Sequence, residues 1–145
     1  MITAEDQRLL RRAITIASDA VAAGDAPYGS LLADSDGHVL VQAHNTVRRD
    51  NDITAHPELK LARWAAAELT PEDAATTTMY TSCQPCQMCS GAIVRSGLGR
   101  VVFALSSEQL VEINPDSAWP TVPTEGPALF DEARTPIDSY YHQPK

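Results

Sequence analysis

The sequence is poor in lysine and lacks long apolar runs. Of its 145 residues only two are lysines, Lys60 and Lys145, and nineteen acidic residues against eleven basic ones give a net charge of −8. Proteins that follow a phosphate backbone usually carry a basic patch, so this composition disfavours nucleic acid as a partner. The longest apolar runs are broken at Arg95 and Arg100, far short of the ~20 residues that a transmembrane helix needs. We therefore expect no membrane partner.

Targeting and disulfide features are also missing. The amino-terminal segment places acidic residues before its basic cluster and has no apolar core, so it does not resemble a signal peptide. The three cysteines, Cys83, Cys86 and Cys89, lie within seven residues, and an odd, clustered set is a poor disulfide framework. We expect a cytoplasmic protein whose cysteines bind metal or take part in chemistry.

Hydrophobic periodicity and turn residues predict an α/β fold. The predicted elements are, in chain order, a helix capped by Thr3 and Asp6 and ending near Gly24, strands at 28–33 and 38–43 joined by a turn, a polar loop at 44–54, a helix at 57–69, a strand at 76–81, a helix at 86–96, a strand at 101–105 and a short helix at 107–113. A helix between the last two strands implies a parallel crossover. We therefore expect a three-layer α/β/α sandwich around a mixed central sheet.

The rest of the chain is predicted to belong to the same domain. Residues 114–127 contain four prolines and predict an irregular segment, while 128–141 predict a last short helix that is interrupted at Pro136. A length of 145 residues is typical of one domain. We therefore assign residues 1–145 to a single domain with an irregular tail at 114–145.

Two short segments carry residues suited to metal binding and proton transfer. His56-Pro57-Glu58 opens one predicted helix, and Pro85-Cys86-Gln87-Met88-Cys89 opens another. One imidazole and two thiolates suit Zn²⁺, and a catalytic zinc site keeps three protein ligands with an open fourth position. The partial positive charge at a helix start also favours the thiolate form of both cysteines.

The carboxylate of Glu58 completes a hydrolytic arrangement. Zn²⁺ lowers the pKa of its water, and Glu58 can take that proton and pass it to a ring nitrogen and then to a departing amino group. The amidine-like carbon becomes a carbonyl carbon, and ammonia is released. The pattern H-x-E…P-C-x-x-C is that of zinc deaminases, so the spacing predicts hydrolytic deamination.

The sequence resembles the cytidine/deoxycytidylate deaminase superfamily over about residues 5–107. Its segment SCQPCQMCSGAI, at 82–93, is similar to the branch that holds guanine deaminases, fungal-type cytosine deaminases and tRNA adenosine deaminases. Members of this branch are usually dimers or larger, so the resemblance implies a homodimer. It also implies a set of site residues: the zinc ligands His56, Cys86 and Cys89, the proton shuttle Glu58, and the base-binding Asn45.

The chain departs from the family pattern at two places. The family commonly has alanine where Pro57 stands, and proline suits the start of a helix, so we expect no loss of function. The tail from residue 106 onward resembles no particular subgroup. Because this region usually selects the substrate in the family, we assign substrate selection to 114–145.

The tail offers candidate substrate contacts. Its aromatic residues are Trp119, Phe130, Tyr140 and Tyr141. Aromatic rings stack on flat heterocycles, and Trp119 is the first candidate, although the same rings could instead anchor the tail. Glu112 and Asp116 could accept hydrogen bonds from the amino-bearing edge of guanine or an aminotriazine, or could simply be solvated.

These features predict a zinc-dependent hydrolytic deaminase of a nucleobase or nucleoside of the cytosine or guanine type, or of a related aminotriazine. One alternative is a tRNA adenosine deaminase, but residues 101–145 carry seven acidic side chains against two basic ones. An alternative of another class is a non-catalytic zinc-binding interaction module, with a structural site closed by Cys83. Glu58 and an open fourth position disfavour that alternative. Asn45 could also be only a turn residue.

Overall fold

A four-stranded mixed sheet forms the centre of the computed structural model, which describes residues 1–142. The strands are β1 (Gly29–Ala33), β2 (Val39–His44), β3 (Thr78–Cys83) and β4 (Arg100–Leu105). Their order across the sheet is β2-β1-β3-β4, with β1 antiparallel to both of its neighbours and β3 parallel to β4. The parallel pair confirms the predicted crossover.

Helices lie on both faces of this sheet. In the described part of the chain they are α1 (Ala4–Ala22), α2 (Val47–Asp50), α3 (Pro57–Glu68), α4 (Pro71–Ala75), α5 (Gln87–Ser96), α6 (Ser107–Ile113) and α7 (Phe130–Tyr141), with a 3-10 turn at Pro115–Ser117. Between residues 1 and 142, none of them combines the length and the apolar character that crossing a membrane requires.

Neighbouring strand residues divide the core into two clusters. Leu31 and Tyr80 belong to a cluster with residues of α1, whereas Leu32 and Met79 belong to a second cluster with residues of α3 and α5. Successive side chains of a strand point to opposite faces, so each strand contributes to both clusters. This arrangement confirms the predicted three-layer α/β/α sandwich.

Several local predictions were wrong. The polar loop at 44–54 contains α2, and α4 was not predicted, although Thr70 caps it and Pro71 opens it. The third strand begins two residues later than expected. The last helix is not interrupted at Pro136. Proline has no backbone N–H, so one carbonyl group of α7 lacks its helical hydrogen bond. Because no residue of α7 is buried, water can reach that carbonyl group and the helix continues.

Gly29 allows α1 to approach the sheet closely. A β-carbon at this position would lie 2.5 Å from the backbone nitrogen of Ala17 and 2.7 Å from the carbonyl oxygen of Ala13. Those atoms belong to the helix backbone, which has no flexible end that could give way. The position therefore requires glycine, and it fixes the distance between α1 and the strand that carries the next residue, Ser30.

The buried carboxylate of Asp6 ties the start of α1 to two strands. The carboxylate of Asp6 accepts hydrogen bonds from the hydroxyl of Tyr80 at 2.7 Å and from the guanidinium of Arg100 at 2.8 and 2.9 Å. Asp6 also forms the predicted capping box with Thr3. The hydrogen bond from Arg100 holds the pKa of the Asp6 carboxyl well below its usual range.

Candidate active site

The three predicted zinc ligands meet at the starts of two helices. His56 is the N-cap of α3, Cys86 is the N-cap of α5, and Cys89 lies in the first turn of α5. Nδ1 of His56 is 3.6 Å from Sγ of Cys86 and 3.6 Å from Sγ of Cys89. The contact between α3 and α5 brings these residues together across the thirty positions that separate them in the chain.

The donor atoms fit a single zinc ion. Bonds of about 2.3 Å to sulfur and about 2.05 Å to nitrogen, at the tetrahedral angle, place the two donors roughly 3.6 Å apart. The observed nitrogen–sulfur distances have this value, and the three ligand atoms all lie within 4.8 Å of one another. One imidazole and two thiols are also a donor set that Zn²⁺ prefers.

The electrostatics of the cluster favour a thiolate. A hydrogen bond from Cys89, together with the His56 ring, lowers the pKa of the Cys86 thiol to about 4. The same hydrogen bond, with burial, raises the pKa of Cys89, while the bond to Cys86 raises the pKa of His56. A thiolate is therefore present at neutral pH, and a metal ion competes with the protons that the site retains.

Cys83 lies outside the cluster. It ends β3 as a buried residue, and burial raises the pKa of its thiol. Its sulfur does not join the group of mutually close ligand atoms. Within residues 1–142, the cluster therefore consists of three ligands, and the alternative of a site closed by Cys83 does not match the geometry.

The carboxylate of Glu58 is buried beside the three donors. Its Oε1 accepts a hydrogen bond from Oγ1 of Thr81 at 2.7 Å, and Oγ of Ser30 lies 3.3 Å from the same oxygen. Both hydroxyl groups belong to the central sheet. Glu58 lines the same cavity as His56 and Cys86, so its carboxylate can reach a molecule bound next to the donors.

A cavity of about 400 Å³ joins the donors to the tail. Its described lining consists of Tyr28, Asn45, His56, Pro57, Glu58, Cys83, Gln84, Cys86, Leu110, Asp116, Ser117, Ala118, Trp119 and Pro120. The predicted contacts Asn45 and Trp119 are therefore at the cavity, and so is Asp116. Glu112, which was considered with Asp116, is not part of this lining. The other tail aromatics, all in α7, are also outside it.

Asn45 forms a turn and also lies at the cavity. Its Oδ1 accepts a hydrogen bond from the backbone N–H of Val47 at 2.9 Å, which forms a turn, and the side chain also lines the cavity. With Oδ1 used in the turn, the amide N–H groups remain as donors. Lys60 supports this loop by donating to the carbonyl of His44 at 3.0 Å and to the hydroxyl of Thr46 at 2.6 Å.

Sequence reasoning missed several residues of the site. Tyr28 and Gln84 line the cavity, and Ser30 and Thr81 contact Glu58. For Ser30, the available signal was a hydroxyl inside a strand whose other residues are buried and apolar. That signal does not reveal which carboxylate the hydroxyl contacts.

Comparison with known proteins identifies the family. The model of the cytidine and deoxycytidylate deaminase zinc-binding region matches residues 3–105. The chain belongs to this family. It is therefore a zinc-dependent deaminase, a hydrolase that acts on C–N bonds, as the two motifs predicted.

Relatives with different substrates resemble the chain. A probable cytosine deaminase of Schizosaccharomyces pombe is 33% identical over 141 residues, which are 97% of this chain and 82% of the relative. A tRNA-specific adenosine deaminase of Haemophilus influenzae is 33% identical over 101 residues, which are 70% of this chain and 58% of the relative. The X-ray structure of guanine deaminase from Bacillus subtilis superimposes with a TM-score of 0.78 at 29% identity, over 96% of this chain and 95% of that one.

Proposed function

We propose that the protein removes the amino group of a free nucleobase, a nucleoside or a related aminoheterocycle by hydrolysis. The observation that carries this proposal is that two of the three clustered zinc donors, His56 and Cys86, line one cavity together with the buried carboxylate of Glu58. Its volume of about 400 Å³ is in the lower part of the range for small-molecule sites, which suits a single heterocycle.

Four residues perform the chemistry in this proposal. His56, Cys86 and Cys89 would hold Zn²⁺, which would supply a water of lowered pKa as the nucleophile. The Glu58 carboxylate accepts a proton from the attacking water and gives it to the adjacent ring nitrogen. It then moves the second proton of that water to the amino group, so that the C–N bond breaks, a C=O bond forms and ammonia leaves.

Three residues select the substrate. The amide N–H of Asn45 donates to a ring acceptor, and the ring of Trp119 stacks on the heterocycle. The Asp116 carboxylate accepts from N–H groups on the opposite edge. A carboxylate at this position binds ligands with several N–H donors more tightly. We therefore favour guanine-type bases and aminotriazines over cytosine-type bases.

The alternative of a tRNA substrate has less support. No lysine or arginine is found among the cavity-lining residues of the described chain, and Asp116 would repel a phosphate. The matched part of the Haemophilus influenzae relative covers only 58% of that protein. The alternative of a non-catalytic zinc module does not explain why Glu58 is buried and held in place beside the donors.

We also propose that residues 1–145 form one domain in which the tail at 114–145 selects the substrate. Asp116 to Pro120 support this role because they line the cavity. The last three residues of the tail, 143–145, which include Lys145, lie outside the described part of the chain.

We also propose that the protein is a homodimer located in the cytoplasm. The apolar and aromatic residues of α7, with Phe130 and Ile137 among them, are exposed and would be covered by a second copy. None of the three cysteines forms a disulfide, which is typical of proteins in the reducing cytoplasm. Light scattering after size-exclusion chromatography should give the mass of two chains, whereas the mass of one chain would contradict the dimer.

Ammonia release by the zinc-loaded protein tests the proposed reaction. The panel contains guanine, cytosine, adenine, their nucleosides, aminotriazines and a tRNA transcript. Turnover of a free base, nucleoside or triazine supports the proposal, and guanine or a triazine should be the best substrate. Silence on every small molecule, or turnover of the tRNA alone, would overturn it.

A further inference from the structure

The carboxylate of Glu58 rests on two hydroxyl groups of the central sheet. Oγ1 of Thr81 lies 2.7 Å from Glu58 Oε1, and Oγ of Ser30 lies 2.7 Å from Oγ1 of Thr81. Ser30 and Thr81 face each other directly in the register between β1 and β3, and both are fully buried. Polar groups at such positions require hydrogen-bond partners, and these two find them in each other and in Glu58.

The carboxylate sets the direction of the hydrogen bonds, because its oxygen accepts from a hydroxyl group. Each hydroxyl has one proton, so the two contacts of 2.7 Å form a chain in which Ser30 donates to Thr81 and Thr81 donates to Glu58 Oε1. The carbonyl of Cys83 is a second acceptor for Thr81, at 3.1 Å. The bond to the carboxylate is shorter, and a charged acceptor makes it stronger.

The other carboxylate oxygen faces the cavity. Among residues 1–142, the side-chain hydrogen bonds of Glu58 are made by Oε1, and every fully buried side-chain nitrogen or oxygen in that part of the chain has a partner. Oε2 is therefore accessible, and the surface on which Glu58 opens is the cavity beside His56 and Cys86. The two oxygens of one carboxylate thus have different surroundings.

We propose that Thr81, supported by Ser30, is a positioning residue for Glu58. The hydroxyl pair holds Oε1 against the sheet, so that Oε2 is the oxygen that carries the proton between water and substrate. Without this anchor the side chain of Glu58 would rotate between several positions, and few of them would align Oε2 with the substrate. The inference rests on the proposed role of Glu58 in deamination.

Substitutions at position 81 separate the hydroxyl from the shape of the side chain. Thr81→Val removes the hydroxyl and keeps the volume, whereas Thr81→Ser keeps the hydroxyl. Thr77→Val is the matched control, because Thr77 is also buried but donates to the carbonyl of Asp73, away from the cavity. Zinc content and thermal unfolding are measured for every variant, together with kcat and KM on the best substrate.

We expect Thr81→Val to bind one zinc per chain and to lose kcat by about 100-fold with little change in KM, because a misplaced proton carrier slows chemistry rather than binding. Thr81→Ser should recover kcat to within about threefold of wild type, since the anchoring hydroxyl is restored. Thr77→Val should leave kcat unchanged. Equal activity of Thr81→Val and wild type would overturn the inference, and so would a Thr81→Ser variant as slow as Thr81→Val.

Crystal structures of the zinc-loaded wild type and Thr81→Val provide a readout that does not depend on turnover. Glu58 should occupy one conformation in the wild type, with Oε1 on Thr81, and several in Thr81→Val. One unchanged conformation in both proteins would contradict the positioning role. Failure of the proposed function is distinguishable, because the wild type would then release no ammonia although its Glu58 remained anchored.

Discussion

At the scale of single residues, the cavity has two carboxylates with different surroundings. Glu58 and Asp116 are the acidic residues among its described lining. Glu58 is held through Oε1 by Thr81, beside the zinc donors. Asp116 comes from the tail and lines the same cavity, so the proposed proton carrier and the proposed specificity contact belong to different parts of the chain.

Replacement of Asp116 tests this division. Asp116→Asn should raise KM for guanine or an aminotriazine by about 10- to 100-fold, because a hydrogen bond to a charged acceptor contributes roughly 1.5–3 kcal/mol. The value of kcat should change much less. Glu112→Gln is the matched control, since Glu112 is an exposed acidic residue outside the cavity lining. Similar KM values for wild type and Asp116→Asn would exclude Asp116 as a substrate contact.

At the scale of elements, the packing of α1 on the sheet fixes the strand that carries Ser30. Gly29 is the point of closest approach, where a β-carbon would lie 2.5 Å from the backbone of Ala17. Because Ser30 follows directly in β1, a shift of the strand would also move the hydroxyl chain under Glu58.

Gly29→Ala should therefore destabilise the fold. Overpacking of a tight interface typically costs about 1–3 kcal/mol, so we expect a loss of that size in the free energy of unfolding, measured with urea. Gly91→Ala is the control, since Gly91 lies in α5 with no atom within 4 Å of an added β-carbon. That variant should be as stable as the wild type or more stable. A Gly29→Ala protein with wild-type stability would show that α1 is not tightly packed here.

Sequence patterns singled out the candidate site residues that are close together in the chain. His56 and Glu58 are two positions apart and Cys86 and Cys89 three, so each pair formed a readable pattern. Ser30 and Thr81 are 51 positions apart and meet only through the register of β1 with β3. Such contacts depend on tertiary packing, which local patterns do not encode.

The difference between local patterns and tertiary packing also explains which parts of the fold were predicted correctly. Long periodic helices, the hairpin and the crossover were predicted because hydrophobic spacing and turn residues specify them locally. The short helices α2 and α4 were missed because one or two turns leave no periodic pattern. The path of the tail, which brings Asp116 to the cavity, depends on contacts with distant residues.

At the scale of the whole molecule, one ion pair connects distant parts of the chain. Asp6 at the start of α1 joins Arg100 on β4, and its carboxylate is almost fully buried. The partner holds the pKa of Asp6 below its unfolded value. The carboxylate therefore stabilises the fold above the unfolded pKa, and this contribution is lost as the pH falls through the lower folded pKa.

Asp6→Asn should lower the free energy of unfolding by about 2 kcal/mol at neutral pH, the contribution of hydrogen bonds to a charged group. Below about pH 4, the unfolded pKa of aspartate, the difference from wild type should shrink. Urea unfolding at several pH values measures both effects. Glu5→Gln is the control, because the Glu5–Arg8 pair is exposed and should matter little. A constant difference across the acid range would contradict the assignment to Asp6.

The most direct test of the account combines zinc content and turnover in one sample of Glu58→Gln. Glutamine keeps the size of the side chain but cannot carry the proton, and it leaves His56, Cys86 and Cys89 intact. We predict one zinc per chain, as in the wild type, with ammonia release reduced about 1,000-fold. A zinc-loaded Glu58→Gln protein that releases ammonia at nearly the wild-type rate would contradict the central claim that Glu58 carries the proton.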